Sequence, residues 1–296
     1  MKKLLFTGFA LFSLTISVFA QKKSGAIQFE TTLDPAAMAA ASGIRIPEQM
    51  LAQMPKAVKT NSELLFNATN ASYMPVEETE DSNGGGGGMN IGRMMTRFGG
   101  GMGGNREYYY TFADQKLHEV FDLSDTTYAM VGKLKVASNL PQMPAGGAVT
   151  FGGPNANNNN NANTQNTSAV QFTNDPPVMD VIKTDETKMI LGLNCKKVIV
   201  RQTRKAKVLG MDKDVTDETA VWYTNDLGFN FSPDTNLWTE GTVLAIESKG
   251  KTTIAKSIEY RNVSAKDVTA PKKAVSITAE EYAVKQQNMM NRFRGG

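Results

Sequence analysis

The chain has 296 residues, of which 41% are hydrophobic and 21% charged, with 32 basic against 29 acidic side chains, one cysteine and one histidine. That length supports a real buried core in one large domain or two small ones. The near-balanced charge excludes a global electrostatic pull toward nucleic acid, the lone cysteine excludes an internal disulfide, and one His with one Cys excludes the usual structural zinc sites.

Residues 1–20 open on Lys2 and Lys3, continue through an apolar run from Leu4 to Phe19, and close on Val18-Phe19-Ala20. A short apolar run with a basic head and a small residue at its end predicts a cleavable secretory signal. The run is short for a spanning helix, and Lys22 and Lys23 follow at once, which argues against a membrane anchor. Export to the periplasm or the outside of a Gram-negative cell follows as the expectation. Loss of Lys2 and Lys3 lowers the formal charge from +3 to about +1. No later stretch is apolar enough to span a bilayer.

Gly25–Thr32 alternates, with Ile27 and Phe29 on one face, and predicts a strand. Asp34 as cap and Pro35 at the first helical position predict a short alanine-rich helix ending before Ser42-Gly43. Pro47–Met54 predicts a second. Leu64, Phe66 and Ala68 share a strand face ahead of Ser72-Tyr73. Two tracts then break the pattern: 81–105, with a glycine run at Gly84–Gly88, and 140–168, with an asparagine run at Asn157–Asn161. Neither buries enough apolar surface to offset chain entropy, so both are expected as flexible, disordered insertions at loop tips of one β domain over 21–270.

Arg106–Ala113, rich in tyrosine, predicts a strand that turns at Asp114-Gln115 into Lys116–Leu123. Tyr128, Met130 and Val178–Ile182 add candidates. Lys197–Thr203, Glu218–Thr224, Thr242–Ser248 and Lys251–Val263 read as strands, the last two joined by a hairpin at Ser248-Lys249-Gly250-Lys251. In the final segment, 271–296, Thr278 and Glu281 have capping-box spacing, and Tyr282, Met289, Met290 and Phe293 share a helical face.

Little here carries chemistry. His118 alternates outward on its strand, as a solvated residue would. Cys195, flanked by Leu193 and Val198, is expected buried and inert. No Gly-x-Ser-x-Gly elbow is present, the glycine run lacks the Lys and Ser/Thr of a phosphate loop, and the pairs Glu77-Glu78 and Asp212 with Asp214 have unreadable spatial separation. Met89, Met94, Met95 and Met102 offer soft ligands for Cu(I), disfavoured because Met also accumulates in such tracts without a ligand. Met94-Met95-Thr96-Arg97-Phe98-Gly99-Gly100 is echoed by Met289-Met290-Asn291-Arg292-Phe293-Arg294-Gly295. Both copies are basic, Met- and Phe-bearing segments suited to a bilayer surface or an envelope protein, with chance in a biased composition as the default account. No catalytic residue, metal ligand or cofactor is assigned.

Gly192-Leu193-Asn194-Cys195-Lys196-Lys197, Val221-Trp222-Tyr223-Thr224-Asn225-Asp226-Leu227, Ser232-Pro233 and the ending Pro271-Lys272-Lys273 with Ile277-Thr278 resemble the GLPGLI family of exported proteins. Ile27-Gln28-Phe29-Glu30 and Leu65-Phe66-Asn67 resemble its opening strands. Glu240-Gly241-Thr242-Val243 stands where the naming motif belongs, keeping the glycine and losing the Gly-Leu-Pro turn. The chain is thus similar to a divergent member, or to a neighbouring exported family. The resemblance implies a lipoprotein-carrier (LolA/LolB-like) architecture, a mainly β, curved antiparallel open sheet or half-barrel with a few short helices. It also implies a noncatalytic protein holding a hydrophobic or lipidic ligand in the sheet concavity, with Trp222 and Tyr223 as candidate lining. Ordinary core packing is the plainer role for both, and a structural or protein-interaction role without a small ligand is the alternative function. Asp125-Thr126-Thr127 resembles a bacterial O-glycosylation signal. Intact mass of the exported protein is expected to start at Gln21, and the same measurement reads any sugar added at Thr126.

Overall fold

The computed structural model describes residues 24–41, 52, 55–76, 106–123, 125–137, 170–173 and 175–294. The expected signal, the Pro47–Met54 helix apart from Ala52, both low-complexity tracts and the candidate copper methionines lie outside these residues.

Thirteen strands form one open sheet. In chain order they are β1 Gly25–Leu33, β2 Val58–Phe66, β3 Asn70–Pro75, β4 Glu107–Thr111, β5 Lys116–Leu123, β6 Thr126–Gly132, β7 Val170–Phe172, β8 Val178–Ile190, β9 Leu193–Val208, β10 Met211–Thr224, β11 Thr242–Ser248, β12 Lys251–Tyr260 and β13 Val275–Ile277. The spatial order is β13-β6-β5-β4-β3-β2-β1-β12-β11-β10-β9-β7, with β8 also on β9. All strand pairs are antiparallel except β13 on β6. The mainly β, open-sheet architecture expected from the sequence is the one observed. Helix α1 is Pro35–Ala41, α2 is Ala279–Arg294, and Ala265–Val268 makes a 3-10 turn.

Alternation does the sorting. Ile27, Leu64 and Tyr73 are cross-strand partners, and all three are buried. Phe29, Phe66, Tyr110, Leu117, Cys195, Trp222 and Leu244 join them in the largest core cluster. Trp222 and Tyr223 are neighbours on β10, so period 2 sends them to opposite faces. Tyr223 accordingly packs in a second cluster with Val198, Val200, Val221, Val243 and Ile246. Register shifts at Gln28/Phe29 and Trp222/Tyr223 mark irregularities that bend their strands. Gly25 is required by a close approach, since a Cβ there would lie 2.3 Å from the Glu259 carbonyl oxygen.

Both helix signals hold. The Ala37 amide donates to Asp34 Oδ1 at 2.9 Å, capping α1. In α2 the Thr278 amide donates to Glu281 Oε2 at 2.9 Å, and the Glu281 amide to Thr278 Oγ1 at 3.2 Å, a reciprocal capping box. Tyr282 and Met289 of that helix pack against Phe121 and Tyr128. The Arg106 guanidinium lies over the Phe121 and Tyr282 rings at 5.2 and 5.4 Å and donates to the Tyr282 hydroxyl at 2.7 Å. The terminal segment is therefore built into the sheet through β13 and α2.

Three details differ from the sequence reading. Ala68 is exposed in the turn between β2 and β3, where Asn67 Oδ1 accepts from the Thr69 and Asn70 amides at 2.9 Å. β12 stops at Tyr260. β9 and β10 reach Val208 and Met211, well past Thr203 and Glu218, because cross-strand bonding continues where the apolar alternation has ended.

Burial pushes the Cys195 thiol up to about 11 and the Tyr73 hydroxyl up to about 12, and raises Tyr110 well above its ordinary value. Each is an acid held neutral by the fold. Its contribution is complete below the unfolded value and is lost as pH rises through the folded one. Thermal midpoints are expected to fall as pH is raised from about 9 to about 11, with tyrosinate absorbance appearing together with unfolding. A flat midpoint over that window would contradict the burial assigned to these groups.

Candidate functional site

The segment between β10 and β11, residues 225–241, packs onto the sheet. It starts with a turn in which the Gly228 amide donates to the Asn225 carbonyl at 3.2 Å. Phe229 and Phe231, alternate residues, then drive into the main core cluster. The Phe231 ring, fully buried, lies 5.6 Å from Phe29, 5.3 Å from Tyr73 and 5.4 Å from Tyr110, the last two edge-on. Phe229 lies 5.0 Å from Phe66 and stacks on Phe112 at 5.0 Å. Such edge and offset contacts are the favoured aromatic geometries.

The segment is also tied down by polar contacts. The Phe231 amide donates to the Gly241 carbonyl at 3.1 Å and the Phe231 carbonyl accepts from the Val243 amide at 2.8 Å, a short parallel bridge beside β11. Tyr110 donates its hydroxyl to the Ser232 carbonyl at 3.2 Å, Thr242 Oγ1 donates to the Phe229 carbonyl at 2.5 Å, and Trp238 Nε1 donates to the Gly241 carbonyl at 2.9 Å. Gly241 sits at φ 60, where a Cβ would fall 2.5 Å from Asn225 Oδ1 and 2.6 Å from the Thr224 carbonyl oxygen. Only glycine fits that corner.

Among the described residues, this part of the sheet face is packed by the chain's own side chains. A cavity of about 180 Å³ remains beside the plug, lined by Tyr110, Phe112, Phe229 and Trp238, with Lys116 and Lys133 also contributing. That is below the roughly 300 Å³ at which ordinary ligand pockets begin.

Trp222 and Tyr223 do not line one surface. The Trp222 ring is buried, with the Lys188 and Lys197 ammonium groups over it at 5.1 and 5.7 Å, and its Nε1 finds no acceptor among the described residues. Tyr223, on the other face, donates its hydroxyl to Glu240 Oε1 at 2.5 Å, and Glu240 also meets Lys183 Nζ at 2.8 Å. Burial, followed by the Glu240 bond, pushes the Tyr223 hydroxyl up to about 12. The Lys183 bond, then the Tyr223 bond, holds the Glu240 carboxyl below its usual range. His118 is half-buried opposite Tyr109 and Val131, and Cys195 is buried. Neither stands beside a cluster of metal-binding side chains among the described residues.

The second distinctive region is the outer end of β9 and β10. Past the pair Ala220 and Glu247 the ribbon leaves β11 behind. It is held by its own ladder, by Arg201–Glu218 at 2.8 Å and Arg204–Asp217 at 3.3 Å, and by Arg204 stacked 3.5 Å over the Phe172 ring of β7. Its turn is Leu209-Gly210, both residues at positive φ, 52 and 83. The β8–β9 turn repeats it, Leu191-Gly192 at 51 and 77. Two positive φ values suit a two-residue hairpin, yet Leu there costs about 1–2 kcal/mol. Leu191 recovers this by packing on the main core cluster. Leu209 is 75% exposed.

The plug was not foreseen from the sequence, although Phe229 and Phe231 alternate between turn residues. No protein-family model matches the chain, and no curated protein matches it. Two solved structures of PNGF-II, in space groups C2 and P21, are similar to it at 12% identity, with TM-scores of 0.45 and 0.44. Each alignment spans 90% of this chain and 33% of that protein. Likeness at this level identifies no function.

Phe231→Ala is expected to cost about 3–5 kcal/mol, as for a fully buried aromatic, and to enlarge the cavity. A hydrophobic dye should then bind the folded variant and not the wild type. An unchanged unfolding midpoint would mean that Phe231 is no plug.

Proposed function

We propose that the chain is an exported, noncatalytic cell-envelope protein that acts through contacts of its outer surface with envelope partners. It is read as a divergent relative of the GLPGLI family or of a neighbouring exported family. The observation that carries this choice is the plug. A carrier needs a vacant apolar groove, and among the described residues Phe229 and Phe231 pack into the main core cluster on this face. Trp222 is likewise covered by Lys188 and Lys197, and Tyr223 is committed to Glu240.

Surface features support contact as the alternative. The charged, paired ribbon of β9 and β10 is a rigid projection rather than a flap. Among the described residues no helix is long and apolar enough to cross a membrane, so association with the envelope would be carried by such surfaces.

Native mass spectrometry of the mature protein, purified gently from a Gram-negative envelope, tests the choice. Lipid extraction of the same sample completes it. The expected result is a clean protein mass. A lipid bound near one to one would overturn the contact reading and restore the carrier.

A further inference from the structure

We propose that the tip of the outer ribbon, centred on Leu209 and Met211, docks onto an anionic lipid surface. The proposal rests on the contact reading above and names the contact.

The chain makes the same Leu-Gly turn twice, which supplies an internal control. At Leu191 the left-handed backbone is offset by core packing. At Leu209 the side chain is 75% exposed, and among the described residues no core packing offsets the strain. Asn or Gly would make this turn more easily, so local folding does not explain the leucine. Uncompensated strain of this kind concentrates at functional contacts.

Next to the turn, Val208 pairs with Met211 on one side and Val170 on the other. An apolar row therefore crosses the ribbon end, and Met211 is 56% exposed. Residues 201–218 carry five basic side chains and four acidic ones, with Arg201 and Arg204 paired to Glu218 and Asp217. Asp212 and Asp214 stand opposite Lys207 and Lys205 in the ladder. The strip stays net positive. A projecting aliphatic tip with an ammonium collar matches a bilayer surface: the tip enters between headgroups while the lysines remain at phosphate level. A protein partner would have to supply a groove for the tip.

The test uses the full mature chain and sedimentation with vesicles of phosphatidylglycerol and phosphatidylcholine. Wild type should sediment with the mixed vesicles, and less with phosphatidylcholine alone or at high salt. Leu209→Asn should weaken vesicle binding by about tenfold while the thermal midpoint stays level or rises, because Asn suits the left-handed position. Lys205→Ser with Lys207→Ser should remove the preference for phosphatidylglycerol. Wild-type binding undiminished in Leu209→Asn, or wild type remaining in the supernatant with both vesicles, would overturn the proposal. Retention of an envelope protein through Leu209 without vesicle binding would overturn it in favour of a protein groove. These outcomes are independent of whether a lipid copurifies, which alone bears on the carrier.

Discussion

The structure depends on one aromatic junction. Phe231, supplied by an irregular segment, meets Phe29 of β1, Tyr73 of β3 and Tyr110 of β4, rings that arrive from separate strands of the sheet. An open sheet has no second layer of its own to bury its apolar face, and one must be provided. Here it is provided by the 225–241 segment, with α2 covering the far end through Tyr282. The junction that completes the core is therefore made by a segment outside the regular strands.

What the sequence revealed followed from period. Ile27 with Phe29, the Thr242–Ser248 strand, the hairpin at Gly250 and the capping box at Thr278 each carry a local signal, and each appears in the structure. Period 2 also sends consecutive strand residues such as Trp222 and Tyr223 to opposite faces of the sheet. Two things had no periodic signature. Phe229 and Phe231 sit in a segment held by single hydrogen bonds and ring contacts, which leave no repeat. The outer halves of β9 and β10 interleave Arg204 and Lys213 with Ala206, Val208, Met211 and Val215 on one face, which blurs the alternation while the backbone ladder continues from Thr203 to Val208 and from Met211 to Thr216.

Electrostatics in this molecule ties strands and helix together. The Glu240 carboxylate joins Tyr223 on β10 to Lys183 on β8, linking strands that flank β9. Arg106 ties β5 to α2 through Glu119, Phe121 and Tyr282. The exposed Lys183–Glu240 pair contributes little stability and adds mainly register, whereas Arg106 and Glu119 are largely buried.

The position of β1 has a consequence for how the molecule is made. β1 lies in the middle of the sheet, yet one of its two neighbours is β12, and Thr31 meets Thr253 across 222 residues. A strand synthesised first must therefore wait for nearly the last. Until Lys251–Tyr260 emerges, β1 presents a bare edge with Ile27 and Phe29 beside it, and closing so long a loop is slow. The interval of greatest aggregation risk therefore lasts until β12 has docked, wherever the chain folds.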